Sequence, residues 1–98
     1  MENLFEKITE FQDKTFADAT SLSCVLHLKE EVEEMLTDIE NKNFKSSELA
    51  DCFMLLFGIA NKEGMSYPDI IEAIQLKHSI NMNRKWADSG KGYHKHIN

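Results

Sequence analysis

Ninety-eight residues, 42% of them hydrophobic, suffice for one small domain with a thin core. Seventeen acidic residues against eleven basic ones leave a net charge of −6, which argues against a nucleic-acid partner because such a surface repels phosphate backbones. The N-terminal segment is acidic with no apolar signal core, and the longest apolar stretch, Cys52 to Ala60, is far too short to cross a bilayer, so a soluble, cytoplasmic protein is expected.

One proline, four glycines and no sustained β-type alternation predict an all-α fold of four helices in a single domain, residues 1–98. Leu4, Phe5, Ile8 and Phe11 recur at helical spacing and place a first helix at about Glu2 to Lys14. Phe16 to Thr20 reads as a connection, with Thr20 or Ser21 able to cap the next helix. The second helix is expected from about Ser21 to Asn41. Leu22, Val25, Leu28, Val32, Met35, Leu36 and Ile39 form one apolar stripe, with His27, Glu30, Glu31 and Glu34 on the other side. After a turn at Asn41 to Lys45, Ser46 is the expected N-cap of a third helix reaching about Asn61. That helix is apolar almost all round, which in so short a chain suggests a second subunit covering one side. Gly64 is expected to end it, and Ser66-Tyr67-Pro68-Asp69 to open a fourth helix carrying Ile70, Ile71, Ala73, Ile74, Leu76 and Ile80. The polar, basic remainder, residues 82–98, is expected to be a loop-like tail. Cys24 and Cys52 lie outside any C-x-x-C arrangement and read as two buried thiols.

Two carboxylate motifs carry the chemistry. Glu30-Glu31-x-x-Glu34 and Glu48-x-x-Asp51 each project two carboxylates from one helical face, because residues three apart are neighbours on a helix. Glutamate runs are commonly solvated faces, Glu48 suits a helix N-terminus, and Asp51 could pair with a buried cation. Against those readings, like charges at this spacing repel, and Lys29 alone is near in sequence to offset them. A short connection also makes the two helices antiparallel neighbours, bringing Glu34 opposite Glu48 and Asp51. So many oxygens suit a hard cation such as Mg²⁺. Lys77, Arg84 and Lys85, with Asn81 between, read either as helix-end cations or as a phosphate clamp. A metal site plus a clamp makes a triphosphate site. Trp86 could stack on a base or pack on the surface, and His94 and His96 read as polar tail. There is no G-x-x-x-x-G-K-[ST] loop and no visible Ser or Cys nucleophile arrangement.

In their order and content these motifs resemble those of the MazG-like, all-α nucleoside triphosphate pyrophosphatases. His27-Leu28-Lys29 before the first motif, and Lys77, Asn81, Arg84-Lys85-Trp86 and Gly92-Tyr93-x-x-His96 after the second, are similar to the dATP/dGTP diphosphohydrolase-like (MazZ-type) branch. The resemblance implies cleavage of (d)NTPs between the α and β phosphates, giving (d)NMP and pyrophosphate, for nucleotide-pool control or house-cleaning. It implies Mg²⁺, with Mn²⁺ as a substitute, and a homodimer or homotetramer of helical hairpins. Glu31, Glu34, Glu48 and Asp51 would hold metal. Glu30, Glu31 and Glu34 would form the catalytic set, with Glu30 a supporting acid, a second-metal ligand or the base for the attacking water. Lys77, Asn81, Arg84 and Lys85 would bind phosphates. Phe11, Phe16 and Trp86 are candidate base contacts without a firm family match. Two rivals remain from the sequence: a non-catalytic helical nucleotide- or protein-binding module, and a related helical hydrolase acting on dUTP or phosphoribosyl-ATP.

Overall fold

The computed structural model describes every residue except Ser89 and Asn98. In chain order it contains α1 (Glu2–Thr15), α2 (Ser21–Glu40), α3 (Ser46–Lys62), α4 (Tyr67–Met82), β1 (Trp86–Asp88) and β2 (His94–His96). The chain forms two compact units, Met1–Tyr67 and Pro68–Asn98. No helix is long and apolar enough to cross a membrane.

In the first unit α2 and α3 form an antiparallel hairpin, and α1 packs along α3. At one end of the hairpin the Ser21 hydroxyl donates to the Glu63 carboxylate. Toward the other, Lys45 Nζ lies 3.5 Å from Asp38 Oδ2. The start of α2 is a capping box with serine in the usual Glu position: Ser23 N–H donates to Thr20 Oγ1 at 3.1 Å, and Thr20 N–H donates to Ser23 Oγ at 2.9 Å. Both hairpin helices end in Schellman motifs. After α3, Met65 N–H reaches Ala60 O and Gly64 N–H reaches Asn61 O, with Gly64 at φ 80°. After α2, Asn43 N–H reaches Asp38 O and Lys42 N–H reaches Ile39 O, and here the left-handed residue is Lys42, at φ 57°. Ser46 is not the cap of α3. Lys45 occupies the N-cap position without a side-chain cap bond, and its ammonium turns to Asp38 instead.

The core centres on α1. Phe5, 5% exposed, meets Phe57 edge-on at 5.2 Å between centroids and Tyr67 at 6.0 Å. The buried Thr9 hydroxyl donates to Phe5 O at 3.0 Å. Gln12 Nε2 donates to Met54 O at 2.9 Å, and Asn61 Nδ2 bonds both oxygens of Asp13 at 3.1 Å, which pins α1 to α3. The inward face of α1 is therefore Phe5, Ile8, Thr9 and Gln12, while Leu4 and Phe11 of the expected stripe are exposed.

The second helix is rotated relative to its expected orientation. Ser21, Cys24, Leu28, Glu31, Met35 and Asp38 are its half-buried positions, whereas Leu22, Val25, Val32, Leu36 and Ile39 are exposed. Periodicity locates an apolar stripe but not the neighbour it covers, and α3 receives the edge between that stripe and the acids. Cys52 is buried and Cys24 half-buried, both as free thiols.

In the second unit the segment expected to be a loop contains a short antiparallel ribbon pairing Trp86 with His96 and Asp88 with His94. Ile97 N–H donates to Lys85 O at 2.8 Å, and the Trp86 indole N–H donates to Asn81 O at 2.9 Å, tying the ribbon to the end of α4.

Candidate metal centre

The antiparallel register of α2 and α3 decides which carboxylates meet. Moving up one helix is moving down the other, so the motifs pair outside-in. Glu31 and Asp51 share the wall of a cavity of about 900 Å³, which α1 and the α1–α2 connection complete. Glu34 and Glu48 share a smaller recess of about 490 Å³ with Glu33, Thr37, Asp38 and Lys45. The expectation placed Glu34 opposite both Glu48 and Asp51; in the structure Glu34 shares its recess with Glu48, whereas Asp51 shares the larger cavity with Glu31.

Between them lies Cys52, 6% exposed. Its thiol is pushed up first by burial and then by the negative charges of Glu31, Asp51 and Glu48. Three of the four expected ligands thus act on one buried atom. The Glu31 side chain is only 17% exposed, and its Oε1 lies 3.2 Å from His27 Nε2 one turn earlier. Asp38 and Glu48 hydrogen-bond carboxyl to carboxyl. This contact holds Asp38 low and pushes Glu48 up, with burial and the charge of Asp38 also raising Glu48. The Glu48 oxygen Oε1 is buried without a hydrogen-bond donor. Two facing carboxylates and an orphaned carboxylate oxygen need a proton or a cation between them. The donor set is all oxygen and fits a hard divalent ion. With the side chains as placed, no three His, Cys, Asp or Glu groups among the described residues converge on a single metal position.

Glu30 is exposed and lines neither cavity. Lys77, Asn81, Arg84 and Lys85 lie in the second unit. There Asn81 and Arg84 are half-buried, Asn81 Oδ1 is buried without a partner, and Arg84 Nη1 approaches His96 Nδ1 at 3.5 Å. Trp86 meets the His96 ring edge-on at 5.9 Å, so it is held within its own unit by that ring and by Asn81. Sequence reasoning missed two residues. Asp38 follows Glu31 and Glu34 at helical spacing, which is the signal that finds it. Gln12 carried no signal, because its part depends on contact with α3.

The profile of the dATP/dGTP pyrophosphohydrolase family matches residues 4–98. The chain is 34% identical over 90 residues to a dATP/dGTP diphosphohydrolase of Salmonella phage PMBT28, a match covering 92% of this chain but 29% of that longer protein. Its fold is similar to that of the cyanophage S-2L MazG-like pyrophosphohydrolase, whose structure holds dGDP and three catalytic Mn²⁺ ions per active site; the TM-score is 0.81 at 27% identity, over 98% of this chain and 95% of that one. The ordered carboxylates, the hairpin that pairs them and these matches together place the chain in the dATP/dGTP pyrophosphohydrolase family.

Proposed function

We propose that this chain hydrolyses purine deoxynucleoside triphosphates at the α–β phosphoanhydride, releasing the monophosphate and pyrophosphate, with Mg²⁺ or Mn²⁺ held by Glu31, Glu34, Glu48 and Asp51. The observation that carries the reading is that Glu31 and Asp51 line one cavity, and Glu34 and Glu48 a second recess, across one hairpin. A divalent ion bound there would neutralise phosphate charge that grows toward the transition state. The protein's own part is positional. The hairpin holds four carboxylates at adjacent levels, and the buried Glu48 oxygen offers an acceptor with no protein donor. Glu30, next in sequence to Glu31 but outside both cavities, would act as a supporting acid, a second-metal ligand or the base for the attacking water, as the family resemblance implies. Lys77, Asn81, Arg84 and Lys85 supply cations and an amide for phosphate oxygens. The exposed apolar side chains of α2 support assembly into a homodimer or homotetramer.

The test is a panel of dNTPs and NTPs with and without Mg²⁺ or Mn²⁺, separating nucleotide products by chromatography and detecting pyrophosphate. Metal-dependent dAMP or dGMP plus pyrophosphate is the expected result. Absence of turnover by folded protein with either ion would instead favour a binding module. Asp51→Asn and Glu34→Gln should each lower kcat by at least about 100-fold with an unchanged helical circular-dichroism spectrum. Full activity in either variant would remove that residue from the metal set.

A further inference from the structure

We propose that His27 is a positioning residue for the metal centre: its imidazole holds the Glu31 carboxylate against α3 in the orientation that receives a divalent ion. The inference rests on the metal-dependent reading above and deepens it, by giving a role to a residue outside the four-carboxylate set.

His27 and Glu31 are one turn apart on α2, and both line the cavity that Asp51 of α3 also lines. Side chains on a helix lean toward its N-terminus, so Glu31 reaches back over the turn that carries His27. His27 Nε2 and Glu31 Oε1 stand 3.2 Å apart. An ionised carboxylate only accepts, so the ring donates from Nε2. A bond at one oxygen fixes the plane of the group while Oε2 can still ligate an ion. With its Nε2 proton directed at Glu31, the ring serves the carboxylate rather than the ion.

The exposures of the two partners differ in the sense this role needs. The Glu31 side chain is 17% exposed and that of His27 is 58% exposed. A solvated pair on an open helical face would expose both. Here the carboxylate is turned toward α3, where its charge acts on buried Cys52 ahead of those of Asp51 and Glu48. Spacing alone leaves the choice of partner open, since Glu30 and Glu31 are both within reach of His27 along the helix. The rotation of α2 selects Glu31, the one that lines the cavity. Fixing the torsions of a glutamate costs rotamer entropy, and a partner that fixes them beforehand removes that cost from the binding step. Metal-ligating carboxylates are commonly held by such a hydrogen bond.

The experiment titrates metal-free protein with Mn²⁺ in the absence of nucleotide, reading free Mn²⁺ by electron paramagnetic resonance. It then measures kcat and the Mn²⁺ dependence of turnover with dATP and dGTP. Wild type is compared with His27→Ala, with His27→Gln, whose amide keeps an N–H donor, with Glu31→Gln, and with the double variant His27→Ala, Glu31→Gln. Alanine is a better helix former than histidine at this exposed position, so the helical circular-dichroism spectrum should be retained. His27→Ala is expected to raise the Mn²⁺ concentration for half-occupancy by about 10-fold or more. His27→Gln should recover most of that loss, and kcat at saturating Mn²⁺ should change far less than the Mn²⁺ requirement. In the Glu31→Gln background the loss of His27 should have no further effect, because the group it positions is gone. Wild-type Mn²⁺ affinity in His27→Ala would overturn the inference while the hydrolase reading stands. So would an absence of recovery in His27→Gln, which would make the imidazole a ligand or a nucleotide contact, or an undiminished effect in the Glu31→Gln background. The expected pattern of Mn²⁺ binding with no turnover by wild type would keep the positioning role and remove the hydrolase reading. Wild type that binds no Mn²⁺ would overturn both.

Discussion

At the residue scale the Asp38–Glu48 contact ties the site to pH. Glu48 titrates above its ordinary value chiefly because it donates to Asp38, and Asp38 titrates below its own because it accepts that bond. A raised carboxyl stabilises the fold at low pH, and that contribution is lost as pH rises through the raised value. A lowered one contributes at higher pH and is lost as pH falls through the lowered value. Above the Glu48 transition both groups are charged and repel, and the orphaned Glu48 oxygen adds to the cost. Metal-free protein should therefore lose thermal stability as pH rises through the Glu48 transition, and millimolar Mn²⁺ should restore it. Glu48→Gln should flatten this pH dependence and abolish the Mn²⁺ response, because an amide can bond Asp38 without a charge. Differential scanning calorimetry across pH 4 to 8 reads both effects. An unchanged Mn²⁺ shift in the variant would show that Glu48 does not bind the ion.

At the element scale the hairpin's two C-terminal caps make a controlled comparison. Gly64 adopts φ 80° after α3 at no steric cost, whereas Lys42 adopts φ 57° after α2 with a Cβ in the way. Both positions close the same hydrogen-bond pattern. Lys42→Gly should raise stability by about 1 kcal/mol, measured by urea unfolding, since it relieves the strain of a Cβ in the left-handed region. A loss of stability would mean that the Lys42 side chain contributes more than its backbone costs. The stability of α2 bears on function, because this helix carries Glu31, Glu34 and Asp38 and its end must hold their register against α3.

For the whole molecule, the uncovered apolar surface is the dominant fact. Leu22, Val25, Val32, Leu36 and Ile39 on α2, Phe53 and Leu56 on α3, and Ile74 and Leu76 on α4 are all at least 44% exposed in the single chain. Among the described residues three buried apolar side chains, Phe5, Cys52 and Ala60, make a very small core for a chain of this length. Light scattering after gel filtration should accordingly give a dimer or tetramer, with unfolding midpoints that rise with protein concentration. A stable monomer at micromolar concentration would contradict this. Assembly also bears on the phosphate-binding reading, since Lys77, Asn81, Arg84 and Lys85 lie in a different unit from the carboxylates.

Much of this was legible in the linear sequence because it depends on near neighbours. Helix positions follow from 3.6-residue periodicity and from Thr20 and Gly64, whose roles are set by a few adjacent backbone groups. The two carboxylate motifs are likewise local, since a spacing of three residues puts Glu31 and Glu34, or Glu48 and Asp51, on one face by helical geometry alone. Tertiary structure decided what local rules leave free. The rotation of α2 about its axis turned Glu31 and Asp38 toward α3 and left much of the apolar stripe outside, because a wide stripe and its borders satisfy periodicity equally well. Ser46 lost the cap position to Lys45, whose ammonium found Asp38 across the turn. The basic tail folded into a ribbon through Trp86 and His96, a pairing too short for strand periodicity to announce. Gln12 acquired its place only when Met54 O and the bare Cα of Gly58 met it from another helix. Spacing along one helix is fixed by the backbone, whereas contact between helices is fixed by which side chains fit together, and no single stretch of this chain contains that information.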